Sequence, residues 1–269
     1  MDKLVAAITT PFVFAFGASI GSFFNVVVYR LPAQLSLLHP PSRCPHCLHP
    51  LSKQENIPVL GWLWLKGRCR WCKTPISIRY PLIEAATGLL FVLVFWQFGF
   101  HLAAIKYWVF LSWLVVLALI DLDTMTLPNM LTQSGLLLGL GFQVIKGWQD
   151  SQVAGHLMAG IGGTVLGIWV FDLILIVGTL VFQKPAMGGG DPKLAAMIGA
   201  WLGWKYVLLT GFLACAIGAF TGIAARLMGW LKSLQEIPFG PFLALGAALT
   251  VFWGDAIIAT YLKLFFPHT

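Results

Sequence analysis

The feature that most restricts this chain is the recurrence of long apolar runs, most of them near the length a helix needs to cross a bilayer. Roughly 20 apolar residues span a hydrocarbon core about 30 Å thick. The first run extends from about Leu4 to Val28. After one long polar segment, further runs follow at about 82–99, 103–120, 129–146, 155–182, 193–203, 205–227 and 239–264. Only 10% of the residues are charged and 58% are hydrophobic, whereas a soluble domain carries roughly 25% charged residues. The expected fold is an all-α polytopic membrane protein with about eight transmembrane helices. The run at 193–203 is the weakest of them, because so short a helix needs tilt or neighbours to cross. The first run is too long for the apolar core of a cleavable signal and long enough to span.

The polar segment, about residues 31–79, divides the chain. A first transmembrane helix over 1–30 precedes it, and a membrane domain over 80–269 follows. Eight of the 17 Lys and Arg residues fall between Arg30 and Arg79. Such a concentration marks a cytoplasmic loop under the positive-inside rule, with the bilayer as its partner. The net charge of +7 therefore needs no nucleic acid to explain it. Counting spans from that loop places 121–128, 183–192 and 228–238 on the same side, in keeping with Lys184, Lys193, Arg226 and Lys232.

Two Cys-x-x-Cys pairs lie in the loop, Cys44-Pro45-His46-Cys47 and Cys69-Arg70-Trp71-Cys72, with 21 residues between them. Each pair offers two thiolates from one tight turn, and two turns complete a tetrahedral zinc site. Four thiolates leave no position for water, so the zinc would be structural. A redox pair or a chance match are the competing readings, and cytoplasmic placement disfavours a disulfide. A loop this short has little core, and the metal would supply much of its folding energy.

Other residues read more plainly. Gly17 and Gly21 on the first span form a small-residue seam for helix packing, and Asn25 there is expected to hydrogen-bond a neighbouring helix. Asp172, inside a span, is expected to face the bundle interior. Cys215 lies alone in an apolar span with no assigned role.

The run Ala186-Met187-Gly188-Gly189-Gly190-Asp191-Pro192-Lys193 interrupts the apolar pattern, as does Asp121-Leu122-Asp123. By itself the glycine run is a flexible turn with an acidic helix cap. The span count, however, puts Asp121 and Asp191 at one membrane face although 70 residues separate them. Two carboxylates held close tend to share a proton. The ionised one can then activate water while the protonated one polarises a carbonyl, which hydrolyses a peptide bond without metal or covalent intermediate. A transporter with paired carboxylates on an ion path and a membrane scaffold docking through its zinc loop are the alternatives. Internal repeats of spans, common in transporters, are not evident.

These residues together resemble the type 4 prepilin peptidases. Gly21-Ser22-Phe23-Phe24-Asn25 with Tyr29-Arg30-Leu31-Pro32 is similar to the family's opening segment. Gly67-Arg68-Cys69-Arg70-x-Cys72 and Ile76-Ser77-x-Arg79-Tyr80-Pro81-x-x-Glu84 resemble its cysteine-bearing domain. Ile120-Asp121-Leu122-Asp123 ahead of Leu127-Pro128-Asn129, and Gly188-Gly189-Gly190-Asp191-Pro192-Lys193, are similar to its two catalytic blocks. The resemblance implies Asp121 and Asp191 as the catalytic pair, with Asp123 ranked behind them. Asn129 departs from an aspartate that many members carry.

The resemblance further implies a multi-pass protein of the bacterial inner membrane with its catalytic face cytoplasmic. Its substrates would be type IV prepilins and pseudopilins, cleaved after a glycine and then N-methylated using S-adenosylmethionine. The 31–79 segment becomes a zinc-binding, methyltransferase-type domain, with Gly67 and Asn25 as methyl-transfer candidates. For Gly67, a tight turn beside a metal-binding cysteine is an equally good reading. No glycine-rich strand-to-helix signature marks a site for the cofactor.

Overall fold

The structure is a computed structural model that describes residues 3–183, 187–229 and 237–266. Lys184, Ala186 and Lys232 of the sequence reading lie outside them. The chain divides into two compact units, Met1–Ser112 and Trp113–Thr269. Among the described residues the regular structure is helical, and the β-pairing consists of two isolated bridges.

Unit 1 contains α1 (Lys3–Arg30), α2 (Leu60–Trp64), α3 (Arg79–Phe98) and the first half of α4 (Leu102–Thr124). The expected seam on α1 is present. A Cβ on Gly17 would sit 2.8 Å from Phe91, and one on Gly21 would sit 2.9 Å from the Glu84 Cα. Only glycine lets the two helices approach this closely. Val13, Phe91, Val92 and Phe95 form a core against which Trp108 packs, stacked on Phe91 at 5.4 Å. Asn25 bonds the neighbouring helix, donating its amide N–H to the Tyr80 carbonyl at 3.3 Å. At the end of α1, Arg30 donates to the carbonyls of Ser36 at 2.9 Å and Pro40 at 2.6 Å, which folds the following loop around its guanidinium.

Unit 2 contains the end of α4 with α5 (Asn129–Gln149), α6 (Val153–Phe182), α7 (Asp191–Leu202), α8 (Trp204–Leu227) and α9 (Gly240–Phe265). Its centre is the 12-residue α7. Leu194, Ala195, Ala196, Met197, Ile198, Ala200 and Trp201 are each at most 1% exposed. Glycines make that burial possible. Gly135 and Gly139 of α5 receive Met197 and Trp201, while Gly163 and Gly167 of α6 lie against Gly199 and Ala195. The last carbonyls of α7 have no partner in their own helix. Gln143 of α5 supplies one, donating to Ala200 at 3.2 Å and Trp201 at 3.1 Å.

A Cβ on Gly167 would come within 2.6 Å of the Ala195 carbonyl oxygen. Gly167→Ala is therefore expected to cost about 1–3 kcal/mol by overpacking, read as a lower unfolding midpoint in detergent. An unchanged midpoint would mean that α6 and α7 do not touch there.

Each of the eight apolar runs falls on a helix to within one residue at its ends, and six helices are long and apolar enough to cross a membrane: α1, α3, α4, α6, α8 and α9. The chain is a multi-pass membrane protein. The other two runs form α5 and α7, which fall short of that length and apolarity, so the count of eight crossings rests on the sequence pattern. At about 1.5 Å per residue, the 12 residues of α7 reach little more than half the bilayer core. The 21 residues of α5 include Asn129, Gln133, Gln143, Lys146 and Gln149.

The expectation for Asp172 is corrected, because it is exposed. The inward face of α6 runs through Gly160, Gly163, Gly167 and Phe171, and the next residue is turned about 100° away from it.

Candidate active site and metal centre

Asp121 sits one turn before the end of α4, 5% exposed. Asp191 is the first residue of α7, 3% exposed. The structure brings the two together, close enough for the charge of one to act on the other. Asp191 is held by its own turn. Its N–H donates to the Gly188 carbonyl at 3.1 Å, and its Oδ2 accepts the Gly188 N–H at 3.0 Å. The tight run of glycines also admits Leu127, since a Cβ on Gly190 would sit 2.8 Å from that side chain. A position at the N-terminus of α7 adds a favourable helix dipole to a carboxylate.

Asp121 is held from the far end of the chain. Its Oδ2 accepts the N–H of Gly240, the first residue of α9, at 3.0 Å. A Cβ on Gly240 would lie 2.6 Å from that oxygen, so the backbone can reach the carboxylate only without a side chain. This contact was not legible in the sequence, because any backbone carries such an N–H donor. Gly240→Ala is expected to displace Asp121 and slow any chemistry at the pair by about 10–100-fold, measured as turnover with the folded fraction held equal. Asp123 is exposed and lies about 200° around α4 from Asp121.

Lys193 donates to Asn129 Oδ1 at 2.8 Å, linking the start of α7 to the start of α5. Asn129→Asp would turn this hydrogen bond into an ion pair on the surface. A gain of at most about 1 kcal/mol is expected, checked by the unfolding midpoint at low and high salt.

The four loop cysteines form one cluster. Their sulfurs all lie within 4.8 Å of one another, with Cys44–Cys72 at 3.7 Å and Cys47–Cys69 at 3.9 Å. A tetrahedron with zinc–sulfur bonds of 2.3 Å has edges of about 3.8 Å, so the donor set fits that ion. Two matching turns build the cluster. In the first, Cys44 N–H donates to the His49 carbonyl at 2.9 Å and Leu48 N–H to Cys44 at 3.0 Å. In the second, Cys69 N–H donates to Thr74 at 2.9 Å and Lys73 N–H to Cys69 at 3.1 Å. Leu48 and Lys73 take the same left-handed backbone, at φ 59° and 60°. Each turn closes on one bridge, Arg43 to Pro50 and Arg68 to Pro75. Beside Cys72, the Thr74 side chain and backbone lower the thiol to about 6, whereas Cys47 in the same cluster is raised to about 11.

Glu55 connects the turns, with Arg70 at 3.8 Å and the Ser52 N–H bonded to its Oε2 at 2.8 Å. That backbone donor holds the Glu55 carboxyl below its usual range. Gly67 has a structural task, since at φ 69° a Cβ would lie 2.6 Å from the Trp62 ring. Trp62 in turn donates to the Ile76 carbonyl at 3.0 Å. Next to it, a cleft of about 360 Å³ is lined by Leu65, Lys66, Arg68, Cys69, Arg70 and Lys73.

Two family models cover most of the chain. Residues 15–98 match the bacterial peptidase A24 N-terminal domain, and residues 108–223 match the type IV leader peptidase family. A prepilin leader peptidase/N-methyltransferase of Aeromonas hydrophila is 40% identical over 94% of this chain and 93% of its own length. The chain belongs to the type IV leader peptidase family. Proteins of the same description from Stutzerimonas stutzeri and Pseudomonas aeruginosa are 38% and 37% identical, each over 92% of this chain and 91% of theirs. No solved structure matches it. Within the family's matched regions lie both buried aspartates and all four clustered cysteines.

Proposed function

We propose that this protein is a membrane aspartyl endopeptidase of the bacterial inner membrane. It cleaves the leader from type IV prepilins and pseudopilins at the cytoplasmic face, then N-methylates the new N-terminal residue with S-adenosylmethionine. The observation that carries the proteolytic half is the meeting of two buried carboxylates from α4 and α7. Asp121 and Asp191 act as a pair that holds one proton between them. The ionised member takes a proton from water, which attacks the scissile carbonyl, while the protonated member donates to the carbonyl oxygen. The base and acid roles belong to the pair rather than to either residue. The Gly188 and Gly240 N–H groups orient the carboxylates.

The names of the relatives support the methyl-transfer half, which we assign to residues 31–79 with Gly67 and Asn25 as candidates. Cys44, Cys47, Cys69 and Cys72 hold a structural zinc ion, because the four thiolates fill its coordination shell. The basic cleft beside Cys69 suits the carboxylate of S-adenosylmethionine but repels its sulfonium, so its lining does not form a site for the whole cofactor.

The two activities are expected to separate. Asp191→Ala supplied with a substrate already free of its leader should still methylate it, followed by transfer of a labelled methyl group. Loss of methylation with zinc and fold retained would show that the aspartates serve both reactions.

A further inference from the structure

Unit 1 holds a buried carboxylate that neither the aspartate pair nor the four thiols employ. Glu84 on α3 is 9% exposed; its Oε2 accepts the Val59 N–H at 2.6 Å, and the Ser22 hydroxyl also reaches it. Val59 is held at φ 62° and ψ −53°. That combination is the rare γ-turn conformation, closed here by the Leu60 N–H on the Pro58 carbonyl at 2.6 Å, and for a β-branched residue such strain persists only where the surroundings enforce it. The Glu84 carboxylate is placed to do so, since it captures the N–H that this conformation points at it.

The strained turn adjoins a cleft that Pro58, the residue before Val59, helps to line. One wall is Asn56 and Pro58, with Ser42 beside them, and the floor is Ser19, Ser22, Phe23 and Val26. Those four share one face of α1, at i, i+3, i+4 and i+7. The volume is about 260 Å³ and no lining side chain is charged. Hydroxyl and amide oxygens in the lining accept hydrogen bonds from an amine, and Phe23, Val26 and Pro58 offer an apolar surface. The larger cleft of this unit has Lys66, Arg68, Arg70 and Lys73 in its lining and would repel an amine. A cleft laid along a membrane-capable helix is also approached most readily by a segment that is itself apolar.

We propose that this cleft receives the first residue of the cleaved substrate, a free amine beside an apolar side chain. Glu84 is its positioning residue, keeping the Val59 turn, and with it the cleft wall, in shape. The proposal rests on the methyl-transfer reading above and assigns where its acceptor binds.

The test uses the full-length protein in lipid nanodiscs and a leaderless substrate peptide with a photoreactive aromatic residue at its first position. Crosslinks are expected within residues 19–26 or 42–58. Acetylating the amine should lower the yield about tenfold, as loss of a hydrogen-bonded cationic group does. Glu84→Ala should raise KM for the leaderless peptide more than it lowers kcat. Glu84→Gln keeps an oxygen for the Val59 N–H and should restore most of the affinity. If Glu84→Ala loses its metal or its fold, Asn56→Ala on the exposed wall takes its place, with the same rise in KM expected. Crosslinks confined to the 65–73 cleft or to unit 2, or a yield indifferent to acetylation, would overturn the assignment. A protein that removes leaders yet crosslinks elsewhere overturns the cleft and leaves the proposed function standing. Crosslinking at the cleft without leader removal or methylation supports the cleft and sinks the proposed function.

Discussion

Asp121→Ala and Asp191→Ala are each expected to reduce leader cleavage by about 10²–10⁴-fold or more, the range that general acid–base groups supply. Either substitution removes half of a pair, and a single carboxylate cannot both activate water and polarise the carbonyl. The more discriminating variants are Asp121→Asn and Asp191→Asn. Each keeps the size of the side chain and an oxygen for the Gly240 or Gly188 N–H. They should fold, insert and retain zinc like the parent, and still fail to cleave. Their unfolding midpoints should stay level or rise, because a carboxylate no longer has to be buried beside its like. Substantial cleavage by either Asn variant would remove that residue from the catalytic pair. Full activity of Asp123→Asn is the companion expectation, since Asp123 is exposed.

The second large effect concerns the four thiols. Purified protein is expected to carry about one zinc ion per chain, and Cys44→Ser with Cys69→Ser to carry none. Structural zinc supplies about 10–16 kcal/mol to small domains of this kind. Its loss should make residues 42–76 susceptible to protease and abolish methyl transfer. The two buried cysteines are the informative pair, because Cys44 is 2% and Cys69 3% exposed and both turns close around them. The pH dependence has a definite sign. Ligand sulfurs must be deprotonated, so zinc content falls as pH falls and returns as it rises. A fully reduced wild-type protein that binds no zinc would refute the structural site.

Much of this architecture was legible in the sequence because membranes enforce simple patterns. The apolar runs gave the helices, and Gly17 and Gly21 marked a close-packing seam on α1, whose partner the structure shows to be α3. The paired Cys-x-x-Cys turns could be read because four thiolates have one common use. Counting spans assigned Asp121 and Asp191 to one membrane face, and in the structure both are buried in unit 2 within electrostatic reach of each other.

Backbone contacts and side-chain direction were harder to read. Gly240 aims an N–H at Asp121, and Val59 aims one at Glu84. Neither has a residue signature, because any backbone carries that donor. Asp172 was misplaced because a uniformly apolar α6 gives no periodicity from which to find its inner face; the glycines that mark it are recognisable only against α7. The short α7 read as a weak span, and the structure buries it at the centre of unit 2 with Asp191 at its first position, within electrostatic reach of Asp121.

The most direct measurement is the mass of a prepilin after incubation with the purified protein in nanodiscs, with and without S-adenosylmethionine. The expected products are a chain shortened by its leader, and the same chain heavier by one methyl group when the donor is present. Asp191→Asn should return the precursor unchanged. An intact precursor after incubation with folded, zinc-loaded wild-type protein, or equal cleavage by Asp191→Asn, would contradict the account.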